Sequence, residues 1–257
     1  METEQEENLP FVTQDIDVPS KLNTLIYGPP GIGKTVLAGT ASLHAPTSPV
    51  LYIDVEGGSM SMRDFYDKRN IRIVRPTVFD RDMESYYTHL ASPKNKFRTV
   101  VIDSGTEVQK LSMQCIMQKL YESRPDKIGS SPSLQEWGKN SDAMRKFVRF
   151  YRDLPINVII LCLQQEVKDE MTGQITVKPS FSGKLPDEIC GMMDIVGKMS
   201  TTLKTDGDRQ ELSRCILFQP QGSFLAKDRS NRLPAVLHDP TIEKIYTLAI
   251  TPPTKEE

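Results

Sequence analysis

The sequence predicts an α/β fold in which helices flank a central, mainly parallel β-sheet. Short apolar or β-branched runs that end at polar residues alternate with longer stretches of helical periodicity, which is the pattern of strands joined by crossover helices. The chain has 257 residues, of which 38% are hydrophobic, so it can bury one substantial core. We therefore expect one main domain with right-handed connections between its parallel strands.

Strands and helices alternate through the first part of the core. The predicted strands cover residues 22–27, 50–55, 71–74, 98–103 and 156–163. The predicted helices lie between these strands, at residues 34–44, 60–69, 80–91, 104–122 and 133–153. This order gives a parallel sheet, because each helix returns the chain to the same end of the next strand.

The C-terminal part carries a different pattern. Residues 171–174 have the composition of a hairpin turn, and further strands are expected near residues 192–204, 211–218 and 222–226. Strands joined by short turns pair antiparallel. The parallel core is therefore predicted to acquire antiparallel C-terminal strands.

Charge divides the chain into a core and two ends. Residues 1–20 form a predicted flexible, acidic N-terminal arm, followed by the core at 21–251 and a C-terminal tail at 252–257. The arm holds six acidic residues and no Lys or Arg, so taking its charge of −6 from the formal net charge of −2 leaves +4 for the remainder. A mildly basic core permits nucleic-acid binding without requiring it.

Cysteine usage and hydropathy exclude several other classes of protein. The cysteines include no C-x-x-C pair, which argues against a zinc site and a disulfide framework; they are Cys115, Cys162, Cys190 and Cys215. No apolar run is long enough to span a bilayer, and the acidic start differs from the basic head of a signal peptide. We expect a soluble, cytoplasmic protein with no membrane partner.

The strongest local motif is a phosphate-binding loop between a predicted strand and a predicted helix. Its pattern, G-x-x-x-x-G-K-[ST], is satisfied by Gly28, Pro29, Pro30, Gly31, Ile32, Gly33, Lys34 and Thr35. Glycines let backbone N–H groups converge on phosphate oxygens, Lys34 reaches the outer phosphates, and the Thr35 hydroxyl ligates Mg²⁺. The expected ligands are ATP and Mg²⁺.

Two acidic strand ends supply the next candidates. Asp103 closes its apolar strand in the manner of a Walker B segment and is the second expected Mg²⁺ ligand. Glu56 follows the strand at 50–55, and ligands bind at the carboxyl ends of parallel strands, so it is the candidate general base for the attacking water. The alternatives are a helix-capping role for Asp103 and a solvated loop carboxylate at Glu56.

An acidic residue that closes the strand after the phosphate-loop helix is similar to the core of the RecA recombinase; here the residues are Ile53, Asp54, Val55 and Glu56. The amide-ended strand at 157–165 extends this resemblance. It implies that Gln165, or failing that Gln164, senses the γ-phosphate and connects to a DNA-binding loop. An amide can accept from the lytic water or donate to a phosphate oxygen, although polar residues also end strands for structural reasons alone.

Lys227 and Arg229 alternate at the end of a predicted strand and therefore point the same way. They resemble the paired basic fingers that RecA-type and related ring ATPases insert across a subunit interface, where each cation stabilises charge on the phosphoryl group. The resemblance implies a homo-oligomer, either a ring or a filament, with ATP sites at its subunit interfaces. A solvated charge cluster is the alternative.

The complete pattern resembles phage-encoded, core-only RecA-like P-loop ATPases and covers most of residues 21–235. This resemblance implies ATP hydrolysis that depends on single-stranded DNA and a task in phage recombination or strand annealing in a bacterial host. It also implies a single-strand-binding protein as a further candidate partner. Composition alone shows none of these properties.

The expected DNA contact is the segment at 172–185, which contains Lys178, Phe181 and Lys184 and no acid. Its cations suit backbone phosphates, and its aromatic ring suits an unstacked base. A plain surface hairpin is the alternative. A second candidate loop, at 123–133, precedes Trp137, for which packing is the simpler expectation.

Two other functions remain open from the sequence. A loader for a helicase or recombinase would use the same ATP site, but its mobile loop would grip a protein. A nucleotide kinase fits less well, because no Arg-rich lid sequence is evident. Stimulation of ATP turnover by single-stranded DNA would separate the loader from the DNA-dependent ATPase.

Overall fold

The computed structural model describes residues 21–65, 67, 69–206 and 209–251. The predicted arm at 1–20 and tail at 252–257 therefore lie outside the described residues. No helix in the described part of the chain is both long and apolar enough to cross a membrane.

Parallel strands form the centre of the described sheet, in the order β7, β1, β5, β4, β2, β3. Their bounds are β1 (Asn23–Gly28), β2 (Val50–Asp54), β3 (Ile71–Val74), β4 (Thr99–Asp103), β5 (Asn157–Lys168) and β7 (Ile195–Asp206). Every neighbouring pair in this series runs parallel. The carboxyl ends of β1, β2, β4 and β5 consequently meet at one edge of the sheet.

Antiparallel strands complete the sheet. At one side β8 (Arg209–Leu217) pairs with β7, and β10 (Val236–His238) pairs with β8. β6 (Ile175–Pro179) forms a hairpin with the far end of β5, and the short β9 (Lys227–Asp228) pairs with β7. The predicted α/β fold with antiparallel C-terminal strands is confirmed.

Helices cover both faces of the sheet. They are α1 (Lys34–Gly39), α2 (Phe79–Ala91), α3 (Gly105–Ser123), α4 (Leu134–Arg152), α5 (Leu185–Met192) and α6 (Ile242–Ile250). Buried side chains of α2 to α5 pack on one face of the sheet, and those of α1 and α6 pack on the other. Short 3₁₀ turns cover Thr40–Leu43, Ala45–Thr47, Gly58–Phe65 and Pro125–Lys127.

Local sequence explains why α4 begins and packs as it does. Ser133 and Glu136 form a capping box that satisfies the free N–H groups of its first turn. The predicted apolar stripe of this helix is buried as core, at Met144, Phe147, Val148 and Tyr151. A stripe at this spacing lies on one side of a helix, so α4 turns this side toward the core that it shares with α2, α3 and α5.

Several predicted boundaries are wrong for physical reasons. The predicted strand at 222–226 contains only isolated bridges at Phe224. Within the predicted helix at 60–69, residues 60–65 belong to a 3₁₀ turn, and α1 gives way to a 3₁₀ turn at Thr40. β5 continues to Lys168 because β6 pairs with its outer half. α5 lies between the predicted loop at 172–185 and the predicted strand at 192–204, where no helix is predicted. Pro186 and Gly191 resemble loop residues, although proline is tolerated in a first helical turn.

Alanine substitutions at two glycines test the packing, because they are expected to change the stability of the fold in opposite directions. A Cβ at Gly197 in β7 would lie 2.6 Å from the Ile216 side chain and 3.0 Å from the Phe218 ring. Gly197→Ala should therefore destabilise the fold by about 1–3 kcal/mol through overpacking. A Cβ at Gly138 in α4 would meet nothing within 4 Å, so Gly138→Ala should stabilise the fold by about 0.5–1 kcal/mol. Thermal unfolding midpoints that shift in the same direction for both variants would contradict this packing.

Candidate active site

The phosphate-binding loop connects the fully buried strand β1 to helix α1. Gly31 and Gly33 adopt φ values of 75° and 102°, in the left-handed region that favours glycine. Gly28 is required for a different reason, because a Cβ there would lie 2.8 Å from the backbone oxygen of Met199. The motif glycines therefore serve both the turn and the close packing of β1 against β7.

Lys34 is the first residue of α1, and its side chain is buried. Its Nζ donates to the backbone oxygens of Gly28 at 3.1 Å and Pro29 at 2.8 Å. Burial lowers the pKa of Lys34, and the nearby carboxylates of Glu56 and Asp103 oppose that shift. The ammonium group thus lies between the phosphate loop and the acidic strand ends.

Asp103 ends β4 and accepts two hydroxyl groups on one carboxylate oxygen. The Thr35 hydroxyl donates to Oδ2 at 2.7 Å, and the Tyr52 hydroxyl donates to the same atom at 2.6 Å. Asp103 is only 2% exposed, and its burial raises its pKa while the two hydroxyl donors hold the pKa down. The two predicted Mg²⁺ ligands, Thr35 and Asp103, are therefore in direct contact.

These residues fit Mg²⁺ better than a metal with an all-protein cage. Among the described residues, no group of three or more His, Cys, Asp or Glu side chains gathers as a metal site. A hydroxyl and one carboxylate are a suitable partial set for Mg²⁺, which usually keeps waters and takes further oxygens from substrate phosphates. The Thr35–Asp103 pair provides such a set at the start of α1.

The two acidic residues at and just after the end of β2, Asp54 and Glu56, have different surroundings. Asp54 is fully engaged: Oδ1 accepts the Gly57 and Gly58 N–H groups at 2.8 and 3.0 Å, and Oδ2 pairs with Arg75 at 3.2 Å. This turn leaves the Glu56 side chain exposed. The Glu56 N–H donates to the Asp103 carbonyl at 3.1 Å, so the turn that carries Glu56 is fixed to the end of β4.

The glycines after Glu56 bring this turn close to α1. A Cβ at Gly58 would lie 3.6 Å from the Thr35 hydroxyl oxygen. The turn therefore lies over the Thr35–Asp103 pair. The structure brings Lys34, Thr35, Asp103 and Glu56 to one edge of the sheet, as the sequence predicts.

The two glutamines of β5 have different surroundings. Leu163 pairs in register with Gly28, so Gln164 and Gln165 lie just past the start of the phosphate loop. The Gln165 Nε2 donates to the Phe181 carbonyl at 2.9 Å. The Gln164 Oε1 is buried and has no hydrogen-bond partner among the described residues. Gln165 is thus joined to the segment after β6, and its role as a γ-phosphate sensor stays a prediction.

A polar network continues from this segment into the helices. The Gln109 Oε1 accepts the Ser182 N–H at 3.1 Å, and its Nε2 donates to Asn140 at 3.0 Å. Asn140 in turn donates to the Gln109 carbonyl at 3.0 Å. Beside this network is a cavity of about 440 Å³. It is lined by residues that include Thr106, Lys110, Trp137, Gln165 and Phe181.

Lys227 and Arg229 both contact the C-terminal end of α5. The Lys227 Nζ donates to the carbonyls of Cys190, Gly191 and Met193, at 3.2, 2.9 and 2.7 Å. Arg229 pairs with Asp194 at 2.7 Å and also donates to the Gly191 carbonyl. Cations stabilise helix C-termini, so both residues have a structural role within the chain. Their predicted action across a subunit interface stays a prediction.

The predicted DNA-stacking role of Phe181 is wrong in this structure. Phe181 is only 3% exposed, because Gly105 leaves room for its ring beside Cys162; a Cβ at Gly105 would lie 3.1 Å from that ring. Lys178 belongs to β6 and pairs with Asp187 at 2.9 Å. Of the three predicted DNA contacts, Lys184 alone is exposed to solvent.

Two contacts of the site were not predicted from the sequence. Tyr52 is recognisable in hindsight, because a buried tyrosine hydroxyl needs a hydrogen-bond partner. Arg214 in β8 donates through Nε to the Ile32 carbonyl of the phosphate loop at 3.0 Å. No local motif marks Arg214, since the two residues are 182 positions apart in the sequence.

Two solved structures are similar to this chain. A prototypical ATPase from the type III secretion system of pathogenic bacteria has 14% identity and a TM-score of 0.47, with 70% of this chain and 51% of that chain covered. The chain thus spans about half the length of that ATPase. The flagellar accessory protein FlaH from Methanocaldococcus jannaschii has 10% identity and a TM-score of 0.47, with 88% of each chain covered.

No curated protein matches the chain. A family model described as AAA domain matches residues 20–230, which include the phosphate loop, both acidic strand ends, Gln165, Lys227 and Arg229. The match covers most of the chain and agrees with the P-loop α/β architecture described above. The chain therefore belongs to the AAA domain family.

Proposed function

We propose that this protein hydrolyses ATP with Mg²⁺ at the phosphate loop, and that single-stranded DNA controls the reaction. The observation that carries the catalytic part is the direct contact between Thr35 and Asp103, 2.7 Å apart, beneath the turn that carries Glu56. We also propose that the protein acts in phage recombination or strand annealing, as the sequence resemblance implies.

Phosphate binding uses groups that already point into the loop. Backbone N–H groups at the start of α1 and the glycine-rich turn favour anionic oxygens. The Lys34 ammonium exchanges the carbonyls of Gly28 and Pro29 for the outer phosphates. Burial lowers the pKa of Lys34, and the charges of Glu56 and Asp103 oppose this shift.

Thr35 and Asp103 hold Mg²⁺, which supplies charge neutralisation at the outer phosphates when bound. Tyr52 keeps the Asp103 carboxylate oriented toward Thr35 by donating to Oδ2. A group that orients a metal ligand from behind affects metal affinity without touching the metal. Tyr52 is therefore a positioning residue.

Glu56 orients and deprotonates the attacking water. Asp54 cannot take this role because both of its oxygens are engaged with Gly57, Gly58 and Arg75. The Glu56 side chain, in contrast, is exposed at the same turn and is open to a water molecule. A carboxylate beside the outer phosphates can accept the proton of the water as it attacks.

Lys227 and Arg229 complete the site of a neighbouring subunit in a ring or filament. To do so they exchange the α5 carbonyls and Asp194 for phosphate oxygens of the neighbour's ATP. Burial lowers the pKa of Lys227 and Arg229 adds to this shift, so a neighbour's triphosphate would be a favourable partner for the pair. Charge stabilisation of this kind acts mainly in the transition state.

The cavity beside Gln165 is the proposed contact with single-stranded DNA. Trp137 is 39% exposed and lines it together with Lys110, which provides an aromatic surface for a base and a cation for the backbone. Gln165 lines the same cavity and lies next to the phosphate loop. A change of its amide contact on ATP binding or hydrolysis would therefore alter this cavity.

The first prediction concerns the general base. Glu56→Gln should retain binding of ATP with Mg²⁺ but lose about 10²-fold or more of its turnover, because the amide cannot accept the proton. ATP binding is measured by calorimetry and turnover by phosphate release. Glu122→Gln, an exposed glutamate in α3, is the matched control and should leave both values unchanged. Undiminished turnover in Glu56→Gln would remove Glu56 from this role.

A second prediction concerns the hydroxyl behind the metal ligand. Tyr52→Phe removes one donor to Asp103 and should raise the Mg²⁺ concentration for half-maximal turnover about 10-fold or more. The measurement is ATP turnover against Mg²⁺ concentration at saturating ATP. Tyr246→Phe in α6 serves as control, with no expected shift. The positioning role fails if Tyr52→Phe has the same Mg²⁺ dependence as the unchanged protein.

The third prediction addresses DNA binding. Trp137→Ala should weaken binding of a fluorescent oligo-dT strand about 10-fold, since base stacking on an aromatic ring contributes about 1–3 kcal/mol. Phe150→Ala, an exposed aromatic in the same helix α4, is the matched control and should bind as the unchanged protein does. Affinity that falls with added salt is expected for the phosphate contacts. Equal binding by both variants, or no binding at low salt, would contradict the proposed DNA site.

A further inference from the structure

A groove runs beside the phosphate loop on the side away from the acidic strand ends. The phosphate loop forms one wall and the β7–β8 hairpin forms the other. Its volume is about 330 Å³, at the lower end of the range for small-molecule sites. Its lining residues are Pro30, Gly31, Ile32, Thr201, Leu212 and Arg214.

The position of the Thr35–Asp103 pair indicates in which direction the bound triphosphate extends. In the sheet, β5, β4 and β2 lie on one side of β1, and β7 and β8 lie on the other. Asp103 and the turn with Glu56 belong to the first side, and the proposed function places the outer phosphates beside these residues. The nucleoside end of the ligand therefore extends toward the second side, where the groove lies.

Arg214 connects the two walls of this groove. Its Nε donates to the Ile32 carbonyl at 3.0 Å, and a Cβ at Gly33 would lie 2.8 Å from the same Nε. The guanidinium group is therefore in contact with the phosphate loop. A planar guanidinium can stack on a nucleobase while its edge donates hydrogen bonds.

The other wall offers an apolar surface that the chain itself leaves open. Leu212 is 69% exposed and lies two residues before Arg214 in β8, so both side chains are on one face of the strand. Thr201 pairs in register with Arg214 across the hairpin and adds a hydroxyl on this wall. An apolar side chain beside a planar cation and a hydroxyl suits a base attached to a ribose.

We propose that this groove binds the base and ribose of the nucleoside triphosphate and that Arg214 is the residue that positions them. Arg214 holds the Ile32 carbonyl and covers one face of the base, while Leu212 packs against the nucleoside. This inference rests on the proposed function and specifies which part of the ligand the β7–β8 hairpin recognises.

The test compares a ligand that has a nucleoside with one that has phosphates only. Binding of ADP and of inorganic tripolyphosphate, each with Mg²⁺, is measured by calorimetry. Leu212→Ser should weaken ADP binding about fivefold and leave tripolyphosphate binding unchanged, because only the nucleoside contacts an apolar wall. Arg214→Ala should weaken ADP more than tripolyphosphate, and Arg214→Lys should not restore the difference, since Lys lacks the planar group.

Leu134→Ser, which removes an exposed leucine at the start of α4, is the control and should alter neither ligand. Leu212 is largely exposed, so its variant is expected to fold, and thermal unfolding verifies this. If Leu212→Ser and Arg214→Ala lower the two affinities equally, or lower neither, the groove does not bind the nucleoside although the phosphate site stands. If the unchanged protein binds neither ADP nor tripolyphosphate, both this inference and the proposed function are overturned.

Discussion

The arrangement of the whole site depends on the hydrogen bonds that Asp103 makes at the end of β4. Its carboxylate accepts hydroxyl groups from Thr35 in α1 and Tyr52 in β2, and its carbonyl accepts the N–H groups of Val55 and Glu56. One residue therefore joins the phosphate-loop helix to two strands. Since Asp103 is only 2% exposed and its bond with Tyr52 is buried, breaking that bond would leave an unsatisfied polar group, and this cost keeps the catalytic edge in register.

On both sides of Asp103, further contacts hold the edge of the sheet in place. Toward β5, Gln165 contacts the Phe181 carbonyl, and Gln109 with Asn140 carries the network into α3 and α4. Buried networks whose members are satisfied tend to fix one arrangement. Toward β7, the phosphate loop is held by the close approach of Gly28 to Met199. The proposed DNA contact and the proposed nucleoside groove thus lie on opposite sides of the same loop.

The sequence predicts those parts of the site in which the chemistry is local. The phosphate loop, the acids that end β2 and β4, and the amides of β5 each follow from a short run of residues and its place in a strand. Contacts between distant segments are not predictable in this way. Arg214 reaches Ile32 only because β7 and β8 fold back beside β1, and Phe181 is buried only because Gly105 makes room for it. Likewise, Lys227 and Arg229 contact the end of α5. The sequence does not predict this helix, because its proline and glycine resemble loop residues.

The strand order also limits how copies of this chain could associate. The outer strands of the described sheet are short: β3 has four residues and β10 has three. Sheets join edge to edge through long rows of unpaired backbone groups, and these margins offer few of them. Continuation of the sheet from one molecule to the next through β3 or β10 is therefore disfavoured. An assembly that uses these two margins of the described sheet would be held by side chains, whose charge and shape can respond to a bound nucleotide.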